Sequence, residues 1–422
     1  MSPAGDRIHP RDVPFSNPRQ VSNMIEPQAL GALAGTHELL LQLVENLPAR
    51  DCNRRFDPLL PSAGWLLGRA VYIELHLLRG LVMADDDLAA RVRPLFDQED
   101  RLDDALDEQL PPREHLLNWA TEIFDQDLTR LANPGHIPAH PLLDDSWLVW
   151  YLAQRHALIY EQLLAVLTAR SALAEQGQHR VEKVLGARLP EDDSLRIEQG
   201  HYRIGAREGA TMANEKPAQM VELNAFRISR RPVSNAEYLS FMQDAGYRET
   251  GWWDTDGRQW LASTKANNPW HWRQDEVGHW YGIGTNGPAD LHHDDLVSGL
   301  SAHEAKAYAA WAAARGTGLT GAVPQHEYQW EVAARMGEIE LLGRSWEWCA
   351  NGFHHYPGYQ APADALLEPC AADAGHYVLR GSCLHTQPSL RRSTFRRCAV
   401  AEQRSIFGGT RLVMPPGKAA WE

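Results

Sequence analysis

The segment 145–174 carries the longest periodic apolar pattern in the chain, and it limits how the first half can fold. Its apolar and aromatic residues recur at spacings of three and four, which predicts one long helix with a continuous buried face. Three shorter helical patterns precede it, at 27–47, 64–83 and 112–131. Four such helices joined by loops can bury their apolar faces together, so we predict an antiparallel bundle.

A different pattern begins after residue 193. Short alternating segments predict strands at 200–205, 219–228, 377–381 and 409–413. Capping signals predict three compact helices, which begin after Ser234, Ser301 and Pro324. Of the 15 Trp residues, 11 follow residue 250, and the loop 251–295 is rich in Trp, His and Gly. This composition predicts an α+β domain with large aromatic walls or a binding cleft.

These patterns divide the chain into a tail at 1–25, a helical bundle at 26–176, a linker at 177–198 and an α+β domain at 199–418. The linker is charged and lacks periodicity. If the protein binds a small molecule, we expect the site to lie where the bundle and the α+β domain meet.

Composition excludes several classes of partner and of site. With 41 Lys and Arg against 55 Asp and Glu, the formal net charge is −14, which argues against nucleic acid and anionic membranes as partners. We found neither an apolar run of the about 18 residues that span a bilayer nor a signal peptide, so we expect a cytoplasmic protein. The five Cys residues are scattered without a CxxC pair, which predicts reduced thiols.

The C-terminal half contains a series of short motifs whose order is informative. They are GHYRIG at 200–205, NEKP at 214–217, FRISRRPVSNAEY at 226–238, GLSAHEA at 299–305, PQHEYQWE at 324–331, WEW at 346–348, VLRGS at 378–382 and FGGTRL at 407–412. In sequence and order they resemble the formylglycine-generating-enzyme-like, or sulfatase-modifying-factor, family. A helical bundle ahead of such a domain is similar to the ergothioneine-pathway sulfoxide synthases and their relatives that make ovothiol or selenoneine. The resemblance implies a DinB-like four-helix bundle followed by a C-type-lectin-like α+β domain.

The resemblance also implies an activity. Members of that family are mononuclear non-heme iron enzymes that use O2 to join a thiol, or a selenium donor, to the imidazole carbon of a histidine betaine. Three His residues of the bundle hold Fe(II), and the C-terminal domain holds the substrates. Neutral imidazoles suit Fe(II), and three ligands on one face leave positions open for O2 and a thiolate.

The family's ligand positions are only partly retained. His156 matches one of them, whereas Arg69 and Tyr160 occupy the other two. A guanidinium group cannot bind a cation, so this alignment leaves one of three ligands. Tyr160 is then either a phenolate ligand or a hydrogen-bonded core residue, and His156 is either a surviving ligand or a core histidine.

Other residues offer substitutes for the lost ligands. His76 follows Arg69 by seven residues and is a candidate for a relocated metal together with Glu74 and His156. Glu161 is a second substitute. Alternatively, Arg69 and Glu161 form a buried ion pair that fills the vacated metal position.

The resemblance places substrate-binding residues in the C-terminal domain. Aromatic residues there suit a cage for a trimethylammonium group, and arginines suit a substrate carboxylate. Tyr160 and Tyr356 are the candidate catalytic groups. The candidate substrate-binding residues are Trp270, Trp272, Trp346, His354, His355, Arg380 and Arg404. The alternative for the Trp residues is ordinary core packing.

Two functions remain open from sequence. The first is a divergent Fe(II)- and O2-dependent enzyme that forms a C–S or C–Se bond on a histidine-betaine-type substrate. The second is an iron-free pseudoenzyme that uses the same scaffold as a small-molecule-binding or partner subunit. In that case the chain forms a homo-oligomer or pairs with an active paralogue.

Overall fold

The computed structural model describes residues 24–97, 104–133, 135, 137–175, 177–207, 209–368, 370, 372 and 375–416. Nearly all of the predicted tail, 1–25, lies outside the described residues. Within them the N-terminal region is helical and the C-terminal part mixes helices and strands, as predicted.

Four long helices form the N-terminal bundle. α1 and α3 each pack against both α6 and α7, and α7 is the longest of the four. Ser62 caps α3 by accepting a hydrogen bond from the Trp65 backbone N–H, and a π-helical segment, Leu75–Val82, extends α3 beyond Glu74. The helices are α1 (Pro27–Glu45), α2 (Ala49–Cys52), α3 (Ala63–Glu74), α4 (Asp87–Phe96), α5 (Asp104–Asp107), α6 (Arg113–Ala132) and α7 (Trp147–Ala174).

The apolar character of α7 follows from its central place. Together with the 3-10 turn before it, the segment Pro141–Ala174 is long and apolar enough to cross a membrane by composition alone, with a mean hydropathy of 1.2. The core helix of a bundle passes the same test, and α7 is buried against α1 and α3 on one side and against the C-terminal domain on the other.

The C-terminal domain is built on small sheets. One has the strand order β1-β4-β13-β8 and is antiparallel, and a second has the order β11-β10-β9-β12 with β12 parallel to β9. A hairpin, β2-β3, and a three-stranded meander, β5-β6-β7, complete the strands. Their bounds are β1 (Ser194–Ile197), β2 (Gly200–Ile204), β3 (Gln219–Leu223), β4 (Phe226–Ser229), β5 (Trp272–Gln274), β6 (Trp280–Gly284), β7 (Gly287–Asp290), β8 (Val323–Pro324), β9 (Trp346–Gly352), β10 (His376–Arg380), β11 (Arg397–Val400), β12 (Gly408–Thr410) and β13 (Leu412–Met414). β1 lies within the predicted linker and already belongs to the first sheet.

Four helices flank these sheets: α8 (Asn235–Gln243), α9 (Thr255–Thr264), α10 (Ala302–Arg315) and α11 (Glu327–Met336). α8 and α10 begin with the predicted capping boxes, in which Ser234 and Ser301 exchange hydrogen bonds with the Glu three residues later. α11 ends at Gly337, whose φ of 72° suits a glycine.

The bundle and the C-terminal domain share one apolar core. Residues of β9 and β10 and of the loops around Cys383 and Phe395 pack directly against the helices of the bundle. Polar contacts cross the same boundary: the Tyr151 hydroxyl donates to the Leu366 carbonyl oxygen, and His76 Nε2 lies 2.7 Å from Asp364 Oδ2.

The expectation of five reduced thiols is wrong for two of them. Cys370 and Cys398 form a disulfide, because the segment before β10 approaches β11 and brings their Cα atoms to 5.8 Å. Cys52, Cys349 and Cys383 are free and buried.

Candidate active site

Three titratable side chains meet in the core of the bundle. His37 comes from α1, Glu74 from the end of α3 and His156 from the middle of α7. His156 Nε2 lies 2.8 Å from Glu74 Oε1, and His37 Nε2 contacts the same oxygen. Their possible ligand atoms all lie within 4.8 Å of one another, and none of the three side chains is more than 4% exposed.

Packing of the helices fixes this geometry. His37 lies on the buried stripe of α1 with Leu33, Leu40 and Val44, at helical spacings. Its ring stacks in parallel on Phe124 of α6, with centroids 3.9 Å apart. Each side chain of the triad is thus placed by a separate helix of the bundle.

The electrostatics of the triad favour an ionised carboxylate beside a neutral imidazole. Burial raises the pKa of Glu74, but the neighbouring His37 and His156 outweigh burial and lower that pKa to about 2. Burial lowers the pKa of His156, so its neutral form is favoured. Metal ligands must be deprotonated, and both of these groups meet that requirement.

The donor set fits a divalent transition metal. Two imidazoles and one carboxylate with open positions are the ligands of many non-heme Fe(II) oxygenases. Among the described residues, Glu74 Oε2 and the Nδ1 atoms of His37 and His156 are buried without a hydrogen-bond partner. A buried carboxylate oxygen without a partner is costly, and a bound cation would offset that cost. Of the residues present, His37, Glu74 and His156 would hold Fe(II).

The structure keeps His156 in this triad but separates Arg69 and Tyr160, the other two predicted ligand positions, from it. Arg69 is buried and donates a hydrogen bond to the Phe96 carbonyl oxygen. Its guanidinium carbon, Cζ, lies 5.6 Å from the Tyr72 ring centroid. Tyr160 packs against the shared core outside the triad. His76 contacts Asp364 through a hydrogen bond. The predicted metal site of Glu74, His156 and His76 is therefore wrong as regards His76.

The place predicted for His76 is taken by His37. The sequence does show His37 as a single His on the predicted apolar face of the first helix. Its partners lie on helices distant in sequence, so the sequence alone does not reveal the site. The predicted pair of Arg69 with Glu161 is not formed. Glu161 instead pairs with Arg397 and accepts a hydrogen bond of 2.9 Å from Trp346 Nε1.

A cleft of about 510 Å³ lies where the bundle and the C-terminal domain meet, and we call it the boundary cleft. The triad is not part of its described lining. The two sites are linked through α7, where Arg155 lines the cleft and the next residue, His156, belongs to the triad. Residues from both parts of the chain form its walls: Trp65, Arg69, Arg155, Ile159, Glu161, Gln162, Cys370, His376, Phe395, Arg396, Arg397, Cys398 and Ser405.

The predicted substrate-binding and catalytic residues lie outside this lining. Arg380 is fully buried and paired with Glu331, and Arg404 is paired with Glu304 at 2.8 Å, so internal carboxylates occupy both guanidinium groups. Assigning these two arginines to a substrate carboxylate is therefore wrong.

The predicted aromatic residues are largely structural. Trp272 is 1% exposed and belongs to the core around α8 and α10, whereas Trp270 is partly buried and packs against the core shared with the bundle. Tyr356 is buried in a separate core beneath the guanidinium group of Arg396, and burial raises the pKa of its hydroxyl. Trp346 contacts a residue of the cleft lining, since its indole N–H donates to Glu161.

Two histidines lie beyond the cleft. The ring of His355 stacks on Tyr359 with centroids 3.7 Å apart, and the carbonyl oxygen of His354 accepts a hydrogen bond from Arg396. Sequence reasoning missed the arginines that line the cleft, Arg155, Arg396 and Arg397. The last two lie in a visible basic run after residue 390, and they pair with Glu327 and Glu161.

Comparisons with known proteins agree with the motifs. Residues 182–341 match the family model of the sulfatase-modifying factor enzyme 1-like domain. The hercynine oxygenase of Mycolicibacterium thermoresistibile is 30% identical over 251 residues, which are 49% of this chain and 54% of that protein. That of Mycobacterium tuberculosis is 28% identical over 250 residues, which are 49% of this chain and 56% of the relative.

This chain therefore spans little more than half the length of the curated relatives that it matches. The solved structure of PvdO from Pseudomonas aeruginosa aligns with 56% of this chain and all of its own, at 16% identity and a TM-score of 0.36. The domain match and the similarity to hercynine oxygenases agree with the resemblance of the motifs to an ergothioneine-pathway sulfoxide-synthase-like family.

Proposed function

We propose that this protein is a divergent non-heme-iron oxidoreductase that forms a C–S or C–Se bond on a histidine-betaine-type substrate at the expense of O2. The observation that carries the proposal is the convergence of two imidazoles and one carboxylate in the bundle core. In this proposal His37, Glu74 and His156 hold Fe(II), in place of the three His residues that the family resemblance implies.

Fe(II), when bound, supplies the activation of O2 in such enzymes. The residues of the chain do the rest. The ionised Glu74 offsets the positive charge of the site, and His156 stays neutral because it is buried. Phe124 holds the His37 ring in one orientation. Apolar walls exclude water from the triad, which strengthens each electrostatic interaction there.

The boundary cleft is the proposed substrate site. Its volume of about 510 Å³ lies within the range of small-molecule sites. The cleft is lined by apolar side chains, such as Ile159 and Phe395, and by a few polar groups, which suits a small amino-acid-like substrate. The hercynine oxygenases act, by their name, on a substrate of this kind. The second substrate is a thiol or a selenium donor.

A second candidate function is an iron-free binding or partner subunit, alone as a homo-oligomer or with an active paralogue. It is favoured by the contacts of Glu74 Oε1, which lies within hydrogen-bonding distance of both histidines and can stabilise the triad without a metal. Both candidates keep the expected cytoplasmic location and the absence of nucleic-acid and membrane partners. The membrane-length helix in the described part of the chain is the core helix α7.

Turnover separates the two candidates. Protein reconstituted with Fe(II) without air is mixed with a histidine betaine and a cysteine-type thiol. O2 uptake and the sulfoxide product are then followed by electrode and mass spectrometry. The enzyme proposal predicts both signals in wild type and their loss in His37→Ala, with His76→Ala as the matched control. Iron-loaded wild type that takes up no O2 with either a thiol or a selenium donor would contradict the enzyme proposal.

A further inference from the structure

A second groove, of about 900 Å³, lies between the β2–β3 hairpin, the first residue of α7 and the loop 358–362, and we call it the hairpin groove. Its volume is within the range of small-molecule sites. Trp147 Nε1 of α7 donates a hydrogen bond of 3.3 Å to the Thr211 carbonyl oxygen and so joins two of its walls. The hairpin groove and the boundary cleft share no residue in their described linings, so they are separate sites.

The hairpin groove is cationic in a protein whose formal net charge is −14. Three cations line it: Arg203 on β2, Arg207 after that strand and Lys216 before β3. Arg203 and Arg207 are exposed and Lys216 is partly exposed. No carboxylate belongs to the described lining, and none of the three side chains has an ion-pair or hydrogen-bond partner among the described residues.

Carboxylates that are close in sequence do not neutralise these cations. Glu215 precedes Lys216 but is buried, and it pairs with Arg392. Glu222 of β3 is paired in register with His201 of β2 and lies outside the described lining. The positive charge of the hairpin groove is therefore available to a ligand, unlike that of the boundary cleft, whose arginines have internal partners.

Two polar side chains of the same groove have buried atoms without a partner. Among the described residues, Thr211 Oγ1 and Gln219 Nε2 have no hydrogen-bond partner, and both residues line the groove. A buried donor without an acceptor is costly. An oxygen atom of a bound anion would accept from such a donor and offset this cost.

We propose that the hairpin groove binds a small polyanion that carries a phosphate group. Phosphate offers several strong acceptor oxygens and close to two negative charges, so it can be held by several cations and neutral donors at once. Arg203 and Arg207 bind its oxygens through paired hydrogen bonds, and Lys216 binds as a point charge. Thr211 and Gln219 supply the neutral donors. This site is independent of the iron-dependent chemistry proposed above.

Isothermal titration of the full-length, iron-free protein with pyrophosphate tests the proposal. The buffer is Tris without a chelator, because chelators are polyanions themselves. We expect one pyrophosphate per chain, with an affinity that falls between about 0.1 M and about 1 M KCl, where the Debye length decreases from about 10 Å to about 3 Å. Citrate, a polyanion without phosphate, should bind more weakly.

Variants locate the bound anion. Arg203→Gln should bind pyrophosphate about tenfold more weakly, which corresponds to the loss of one charge-assisted hydrogen bond. Arg248→Gln removes another exposed arginine that lies outside the groove, so this matched control should bind like wild type. Circular dichroism checks that both variants are folded.

A second measurement needs only the wild-type protein. Lysines are acetylated briefly with and without pyrophosphate, and peptide mass spectrometry follows each site. At about ten times its Kd, pyrophosphate should slow acetylation of Lys216 about tenfold, because only about one site in ten remains free. Acetylation of Lys183, an exposed lysine outside the groove, should not change.

Absence of pyrophosphate binding at millimolar concentration would overturn the proposal. So would equal affinity in Arg203→Gln and wild type, or equal protection of Lys183 and Lys216. Citrate that binds as tightly as pyrophosphate would overturn the preference for phosphate. Iron binding is measured separately, and its presence or absence leaves this inference unchanged.

Discussion

Replacing Glu74 with Gln tests the electrostatic account of the triad, since the change removes the charge and keeps the shape of the side chain. The carboxyl is fully buried, and its pKa is lowered from 4.5 to about 2 because His37 and His156 outweigh the effect of burial. A shift of this size corresponds to about 3 kcal/mol of folding free energy, at ~1.4 kcal/mol per unit of pKa. Because the folded-state pKa is the lower one, the stabilisation is present above about pH 4.5 and is lost as the pH falls toward 2.

Urea unfolding followed by far-UV circular dichroism and Trp fluorescence measures this difference, with a chelator present. At pH 7 the Glu74→Gln variant should be less stable than wild type by about 3 kcal/mol, and the difference should shrink between pH 4.5 and 2. Glu276→Gln, in an exposed turn, is the matched control and should leave stability within about 0.5 kcal/mol of wild type. A Glu74→Gln protein as stable as that control at pH 7 would refute the reasoning.

Three further predictions concern the C-terminal domain. Burial raises the pKa of the Cys383 thiol to about 12, so iodoacetamide at pH 8 should modify it only after unfolding, and modification of the folded protein would contradict this. Glu327→Gln should lower the free energy of unfolding in urea by about 3 kcal/mol, because Glu327 neutralises the buried guanidinium group of Arg396 through hydrogen bonds of 2.7 and 2.8 Å. A decrease of less than about 1 kcal/mol would contradict this prediction. Gly409→Ala places a Cβ 2.5 Å from the Val297 carbonyl oxygen, so it should lower the free energy of unfolding in urea by about 2 kcal/mol or more. Gly251→Ala, whose added Cβ would have no atom within 4 Å, should not lower it.

Much of the fold could be predicted from local sequence patterns. The long helix α7 follows from its apolar periodicity, and the starts of α8 and α10 follow from their capping boxes. Each of these signals is formed by residues that are close together in the sequence, so a single sequence is enough to recognise it.

The candidate site was harder to predict because its members are distant in sequence. His156 and Glu74 were considered as ligands, but His37 lies on another helix, and its proximity depends on how α1 packs against α3 and α7. The disulfide has the same origin, since Cys370 meets Cys398 only after β10 and β11 pair. No motif of fixed spacing marks either grouping.

The central claim is that the bundle binds Fe(II) through His37, Glu74 and His156. The most direct measurement is the iron content of protein that is reconstituted with Fe(II) and desalted without air, by elemental mass spectrometry. The account predicts about one iron per chain in wild type and in His76→Ala, and far less in His37→Ala, because the donor set loses one of its two imidazoles. Wild type without iron, or His37→Ala with as much iron as wild type, would contradict it.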